Sequence, residues 1–97
     1  VSAKKAIPSL INALNDEDST VRSNAVLALG RIGPTAQPAV PALIGALNDT
    51  EEDVQSNAIH ALGEIGDSAA IPSLKKILET GDKHVRKQAA IALDKID

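Results

Sequence analysis

The apolar positions of this chain recur with the period of an α-helix, and the whole pattern then recurs with a longer period. Ile7, Leu10, Ile11 and Leu14 form an i, i+3, i+4, i+7 stripe, and after a polar break Val21, Ala25, Ala28, Leu29 and Ile32 form a second one. Two amphipathic helices are predicted, each with one face to bury. The segment IPSLINALND at 7–16 returns as VPALIGALND at 40–49 and as IPSLKKILET at 71–80, offsets of 33 and 31 residues. The second halves keep the same offsets: VRSNAVLALGRIG starts at Val21, VQSNAIHALGEIG at Val54 and VRKQAAIALDKID at Val85. Three repeat units, 1–33, 34–66 and 67–97, account for the 97 residues. One hairpin of helices cannot bury its stripe alone, so the units must stack. The expected fold is all-α, an α-solenoid of three helical hairpins with about six helices, in a single repeat domain over 1–97.

Local signals set the boundaries. Pro8, Pro41 and Pro72 are expected at the start of the first helix of each hairpin, where a missing N–H costs little. The stretches NDEDST, NDTEED and ETGDKH separate the two helices and offer Asp18, Thr50 or Glu51, and Asp82 as N-caps. Gly33 and Gly66 are expected to close the second helices. The repeated Ala25, Ala58 and Ala89 are the expected points of close contact between helices.

Composition narrows the chemistry. There is no Phe, Trp, Tyr, Met or Cys, so the 43% apolar content is Ala, Leu, Ile and Val alone. Without cysteine there are no disulfides, zinc–thiolate sites or thiol nucleophiles, which fits a reducing compartment; a cytoplasmic location is expected. No apolar run approaches the roughly 20 residues of a membrane span. The net charge of −3 is uneven, with +1 on unit one, −5 on unit two, which has no Lys or Arg, and +1 on unit three. An acidic middle interrupts any basic stripe, so neither nucleic acid nor a membrane is an expected partner. The apolar stripe of the first helix, at a repeat boundary, suggests weak end-to-end self-association.

The run V-R-x-x-A-x-x-A-L-G-x-I-G after an aspartate-rich turn, preceded by V/I-P-x-L-I-x-A-L-x-D, closely resembles HEAT-like repeats of the phycobilisome-lyase type, across all three units. The resemblance implies an α-solenoid of HEAT-like hairpins. It leaves function open, because that family includes phycobilin lyase subunits, a metal hydroxylase, DNA-repair proteins and plain scaffolds. Deoxyhypusine hydroxylases among these repeats carry His-Glu iron ligands at the two positions after V-R. Here those positions are Ser23-Asn24, Ser56-Asn57 and Lys87-Gln88, which cannot serve that role. A bilin-handling surface is expected to use aromatic or cysteine contacts, and the chain has none. The resemblance also implies that Arg22 and Arg86 pair with turn aspartates, Asp16, Asp49 or Asp82, with Gln55 breaking the pattern in unit two.

Candidate chemistry is sparse. His60 and Glu64 stand one helical turn apart, a spacing at which two ligands can share a metal, but no third ligand accompanies them; an exposed ion pair is the simpler reading. EEDVQ lacks the alternating Asp spacing of a calcium loop. Ser23 and Ser56 have no His/Asp frame to activate a hydroxyl, and GRIG and GEIG are helix ends rather than phosphate loops. No catalytic residue, metal site or cofactor is expected.

In solenoids of this resemblance the second helices line the concave face. Removing the core stripe leaves Ser23, Asn24, Leu27 and Arg31 in unit one, Ser56, Asn57, His60 and Glu64 in unit two, and Lys87, Gln88, Ile91 and Lys95 in unit three. Leu27, His60 and Ile91 form a partly apolar central row inside a polar rim, the make-up of a protein-binding face; the alternative is that Leu27 and Ile91 pack on neighbouring helices. The expected function is a non-enzymatic scaffold or adaptor that binds a protein or peptide on that face. The alternative is a fragment or subunit of a phycobilin lyase or related enzyme complex.

Overall fold

The computed structural model describes residues 3–96, so Val1, Ser2 and Asp97, which fall inside the expected terminal units, lie outside the described residues. Six α-helices follow one another: α1 Ala3–Ala13, α2 Ser19–Ile32, α3 Val40–Ala46, α4 Glu52–Ile65, α5 Ile71–Thr80 and α6 Lys83–Ile96. No strand occurs among the described residues. The links between hairpins are 3-10 turns, Gly33–Ala39 and Ser68–Ala70.

Most boundaries have the expected causes. Asp18 is extended (φ −83°, ψ 119°) and its carboxylate accepts the Thr20 N–H at 2.8 Å, capping α2. Asp82 caps the start of α6 by accepting from the Val85 N–H at 3.1 Å. Glu51 is the capping residue of α4 by position only, since its side chain makes no capping bond. Asp49 accepts the Glu51 N–H at 2.9 Å instead, and Glu52 and Asp53 place negative charge in the first turn of the helix. Gly33 (φ 75°) and Gly66 (φ 77°) end α2 and α4 in the positive-φ region that residues with a side chain avoid.

Pro41 and Pro72 occupy the first turns of α3 and α5, but Pro8 departs from expectation and lies inside α1. Ala-Lys-Lys-Ala precedes it, a strong helix-forming run that carries the helix across the proline at the loss of one backbone hydrogen bond. The matching positions in unit two hold Ala-Gln-Pro-Ala, whose extra Pro38 favours the 3-10 turn seen there.

The helices form two layers. α2, α4 and α6 lie side by side in direct contact, while α1, α3 and α5 meet one another only marginally and pack mainly against the second layer. The close spacing of α2, α4 and α6 rests on glycine. A Cβ added to Gly30 would lie 3.1 Å from the Ala61 Cα, and one added to Gly63 would lie 3.0 Å from the Ala92 Cα. Ala25, Ala58 and Ala89 are buried in the core. One hydrophobic cluster runs through all three hairpins, with Val26, Leu29, Leu43, Ile59, Leu62 and Leu74 fully buried. α4 is its spine, burying Val54, Ala58, Ile59, Ala61, Leu62, Gly63 and Ile65.

Candidate protein-binding face

The outward edges of α2, α4 and α6 carry all twelve of the residues singled out in the sequence. They divide into residues that hold the helices together and residues that are free. The Asn57 side-chain amide donates to the Ser23 hydroxyl at 2.7 Å, and the Ser56 hydroxyl donates to the Gln88 side-chain carbonyl at 2.6 Å. The serine of one unit thus bonds the amide of the next at both junctions. His84 Nε2 lies 3.4 Å from the Ser56 hydroxyl. Lys95 donates to the Glu64 carboxylate, and His60 Nε2 lies 3.9 Å from the same group across one turn of α4. Lys95, and secondarily His60, hold the Glu64 carboxyl below its usual range.

The set that makes no side-chain hydrogen bond among the described residues is Asn24, Leu27 and Arg31 on α2, His60 on α4, whose only polar neighbour in reach is Glu64, and Lys87 and Ile91 on α6. Ile91 is 52% exposed and the His60 side chain 59% exposed, while Leu27 is half-buried. Two of the shallow depressions between the helices border the row Leu27, His60 and Ile91. One, of about 220 Å³, is lined by Leu27, Gly30, Arg31, Asn57, His60, Ala61 and Glu64. The other, of about 160 Å³, is lined by His60, Gln88, Ile91, Ala92 and Lys95. His60 borders both and separates them. The floor residues Gly30, Ala61 and Ala92 were not anticipated as part of the face. Their signal is the A-L-G of α2 and α4 and the Ala92 that aligns with it in α6, where small residues leave a groove between neighbours.

Arg22 works elsewhere. Its guanidinium donates to both Asp49 oxygens, at 2.9 and 3.2 Å, and its Nη1 donates to the Asp16 and Glu17 carbonyls at 2.8 and 3.0 Å. This ties α2 to the turn before α4. Asp49 is held below its ordinary value chiefly by the Arg22 hydrogen bond, with the backbone N–H groups of Glu51 and Thr50 contributing. Arg86 departs from expectation, having no carboxylate partner among the described residues. The Gln55 side chain bonds the Asp49 carbonyl within its own unit. Across the links, Gln37 donates to Asp67 at 2.8 Å, and Asp67 also accepts the Ala69 N–H at 2.8 Å. Both hydrogen bonds lower the Asp67 pKa, the backbone one more.

Among the described residues no group of three or more His, Cys, Asp or Glu side chains could hold a metal ion. No helix among them is long and apolar enough to cross a membrane. Stacked hairpins with an open, shallowly dimpled helical surface define an α-solenoid repeat protein. The chain belongs to the HEAT-repeat family, since HEAT repeats are matched by residues 1–53 and again by residues 40–97. A crystal structure of an engineered protein is similar, with a TM-score of 0.77 and 28% sequence identity over 95% of this chain. The chain spans 45% of the length of that engineered protein. No curated protein shows significant similarity to it. HEAT repeats generally mediate protein–protein interaction, and the family is a scaffold fold.

Proposed function

We infer that this chain is a non-enzymatic scaffold or adaptor, a single repeat domain whose α2–α4–α6 face binds a protein or peptide in a reducing, cytoplasmic setting. The carrying observation is the row Leu27, His60 and Ile91. These side chains flank two depressions, and the polar groups beside them, Ser23, Asn57, Ser56, Gln88, Glu64 and Lys95, already bond one another. The row is therefore a partly apolar strip on a pre-ordered surface, so little side-chain freedom is lost when a partner lands on it. α2, α4 and α6 are more closely spaced than α1, α3 and α5, which favours their layer as the inner, concave side of the curve. Asn24, Arg31 and Lys87 form the polar rim, while the acidic turns lie at the edge.

The test is a pull-down from source-cell lysate with mass-spectrometric identification, run on the wild type and on a Leu27→Asp, His60→Asp, Ile91→Asp variant that circular dichroism shows to be folded. A partner held by the wild type and lost by the variant supports this face. A partner held equally by both refutes it. The phycobilisome-lyase type rests on the V-R-x-x-A-x-x-A-L-G-x-I-G motif, and a biliprotein among the captured chains would favour that reading.

A further inference from the structure

Three units make two junctions, and the two are built alike. At the first, α2 presents Gly30 to Ala61, Ser23 to Asn57, Arg22 to Asp49, and the fully buried Val26. At the second, α4 presents Gly63 to Ala92, Ser56 to Gln88, and the buried Ile59. The ion pair is missing there on both sides at once, because Gln55 stands for the arginine and Thr80 for the aspartate. The leading helix thus supplies a glycine, a serine and a β-branched residue, and the receiving side supplies an alanine and an amide.

A third copy of the receiving set exists on the outer face of α1 and α2. Ala28 matches Ala61 and Ala92, Asn24 matches Asn57 and Gln88, and Asp16 matches Asp49. Val21 there is 38% exposed, whereas its counterpart Val54 is 1% exposed, and Ala28 is half-buried where Ala61 is 1% exposed. No third copy of the leading set exists. On the outer face of α5 and α6, Asp94 replaces the glycine, Ala90 the Val or Ile, and Lys87 the serine, while Lys75 replaces Ile11 and Ile44; all four are exposed.

We propose that the α1–α2 face is a docking surface for a helical hairpin of the same repeat type, one presenting Arg, Ser, a β-branched residue and Gly at the spacing of Arg22, Ser23, Val26 and Gly30, and that the α5–α6 face is closed to such docking. A second identical copy is not the occupant. Stacked in this register, its Asp94 would meet Ala28, where a Cβ alone would be as crowded as at Gly30, and the carboxylate would be buried without a partner. The end-to-end self-association suggested by the apolar stripe is therefore not expected in the head-to-tail register.

The chain can be converted into its own probe. Asp94→Gly, Ala90→Ile, Lys87→Ser and Lys75→Ile restore the leading set on α5 and α6, beside the Arg86 already present, and Ala28→Glu in the same molecule blocks its own receiving face. Mixed with wild type and followed by sedimentation velocity, this probe is expected to form a 1:1 complex of twice the monomer mass. Absence of a complex, with probe and wild type both folded by circular dichroism, overturns the docking surface. A control probe with Asp94→Ala keeps a Cβ at the contact and is expected to bind at least tenfold more weakly. Equal binding by both probes would show nonspecific apolar adhesion and overturn the register. Val21→Asp in the wild-type partner is expected to abolish the complex, and retention would place the contact elsewhere and overturn the proposal. Wild type that forms head-to-tail chains by itself would overturn the closure of α6. Should the multiply substituted probe fail to fold, the Asp94→Gly, Ala90→Ile, Lys87→Ser, Ala28→Glu probe is read by the same outcomes.

Discussion

Replacing glycine by alanine inside a helix ordinarily stabilises it by about 0.8–1 kcal/mol, since alanine restricts the unfolded chain and favours the helical backbone. Gly63 and Gly45 give that substitution two different surroundings. At Gly45, near the end of α3, an added Cβ meets nothing within 4 Å. At Gly63, in the middle of α4, it would lie 3.0 Å from the Ala92 Cα and 3.1 Å from the Ala92 Cβ. Those neighbours are backbone and a methyl fixed to it, so no side chain can rotate away. α4 and α6 must instead separate by a few tenths of an ångström, and the contacts along their shared seam loosen together. Overpacking of this kind costs about 1–3 kcal/mol. The propensity gain offsets part of it, leaving Gly63→Ala about 1 kcal/mol less stable than wild type and Gly45→Ala about 0.5–1 kcal/mol more stable. For a domain of this size, 1 kcal/mol moves the melting temperature by roughly 4–8 °C. Thermal and urea denaturation followed by circular dichroism would read both changes. A Gly63→Ala protein as stable as wild type would show that the helices are not held at the glycine-limited distance, and the account of the second layer would fail.

Two further predictions concern the polar bonds. Ser56→Ala removes the 2.6 Å bond to Gln88 from a part-buried seam and is expected to cost about 1 kcal/mol in urea denaturation; an unchanged midpoint would mean that the serine–amide bonds do not hold the junctions. Asp49, Glu64 and Asp67 all have pKa values lowered in the folded chain from ordinary values of 3.8, 4.5 and 3.8. The unfolded chain then binds more protons than the native one at acid pH, so stability is fully present above about pH 5 and falls as pH drops through the folded values. Asp49→Asn should be less stable at neutral pH and lose stability less steeply on acidification, and a slope equal to that of wild type would refute the role of the Arg22–Asp49 pair.

The hairpins, their order and most of their caps were legible because a helical stripe and a repeat are both written in apolar spacing. Pro8 lies inside α1 rather than at its start because the helix-forming Ala-Lys-Lys-Ala run before it outweighs the proline's preference for a first turn. The contact role of Gly30 and Gly63 was missed for a different reason. Residues present in every unit, such as Ala25, Ala58 and Ala89, look like the natural contact points, and they are indeed core. The residues that reach into the neighbouring unit are instead ones that differ in unit three: Gly30 and Gly63 are answered by Asp94, Val26 and Ile59 by Ala90, and Ser23 and Ser56 by Lys87. Their contact role shows only once the helices are placed side by side. The binding face was legible as a set of positions, but side-chain spacing alone could not tell which polar groups bond one another and which remain free.

The missing aromatics bear on how such a face would work. Anchors at protein interfaces are enriched in Trp, Tyr and Arg, and of these the proposed face offers only Arg31. What it offers instead is form: glycine and alanine at the floor of two depressions, with His60 between them and Leu27 and Ile91 at their sides. The same small residues that draw α2, α4 and α6 together leave these hollows, since a larger side chain at Gly30 or Ala92 would both spread the helices and fill the groove. Packing and recognition therefore draw on one sequence feature. On this reading the partner supplies the large anchoring side chain and the solenoid supplies the socket. Ala92→Leu should then weaken partner binding by spreading α4 and α6 as well as by filling the hollow, whereas Ile91→Ala should weaken it with the helix spacing unchanged.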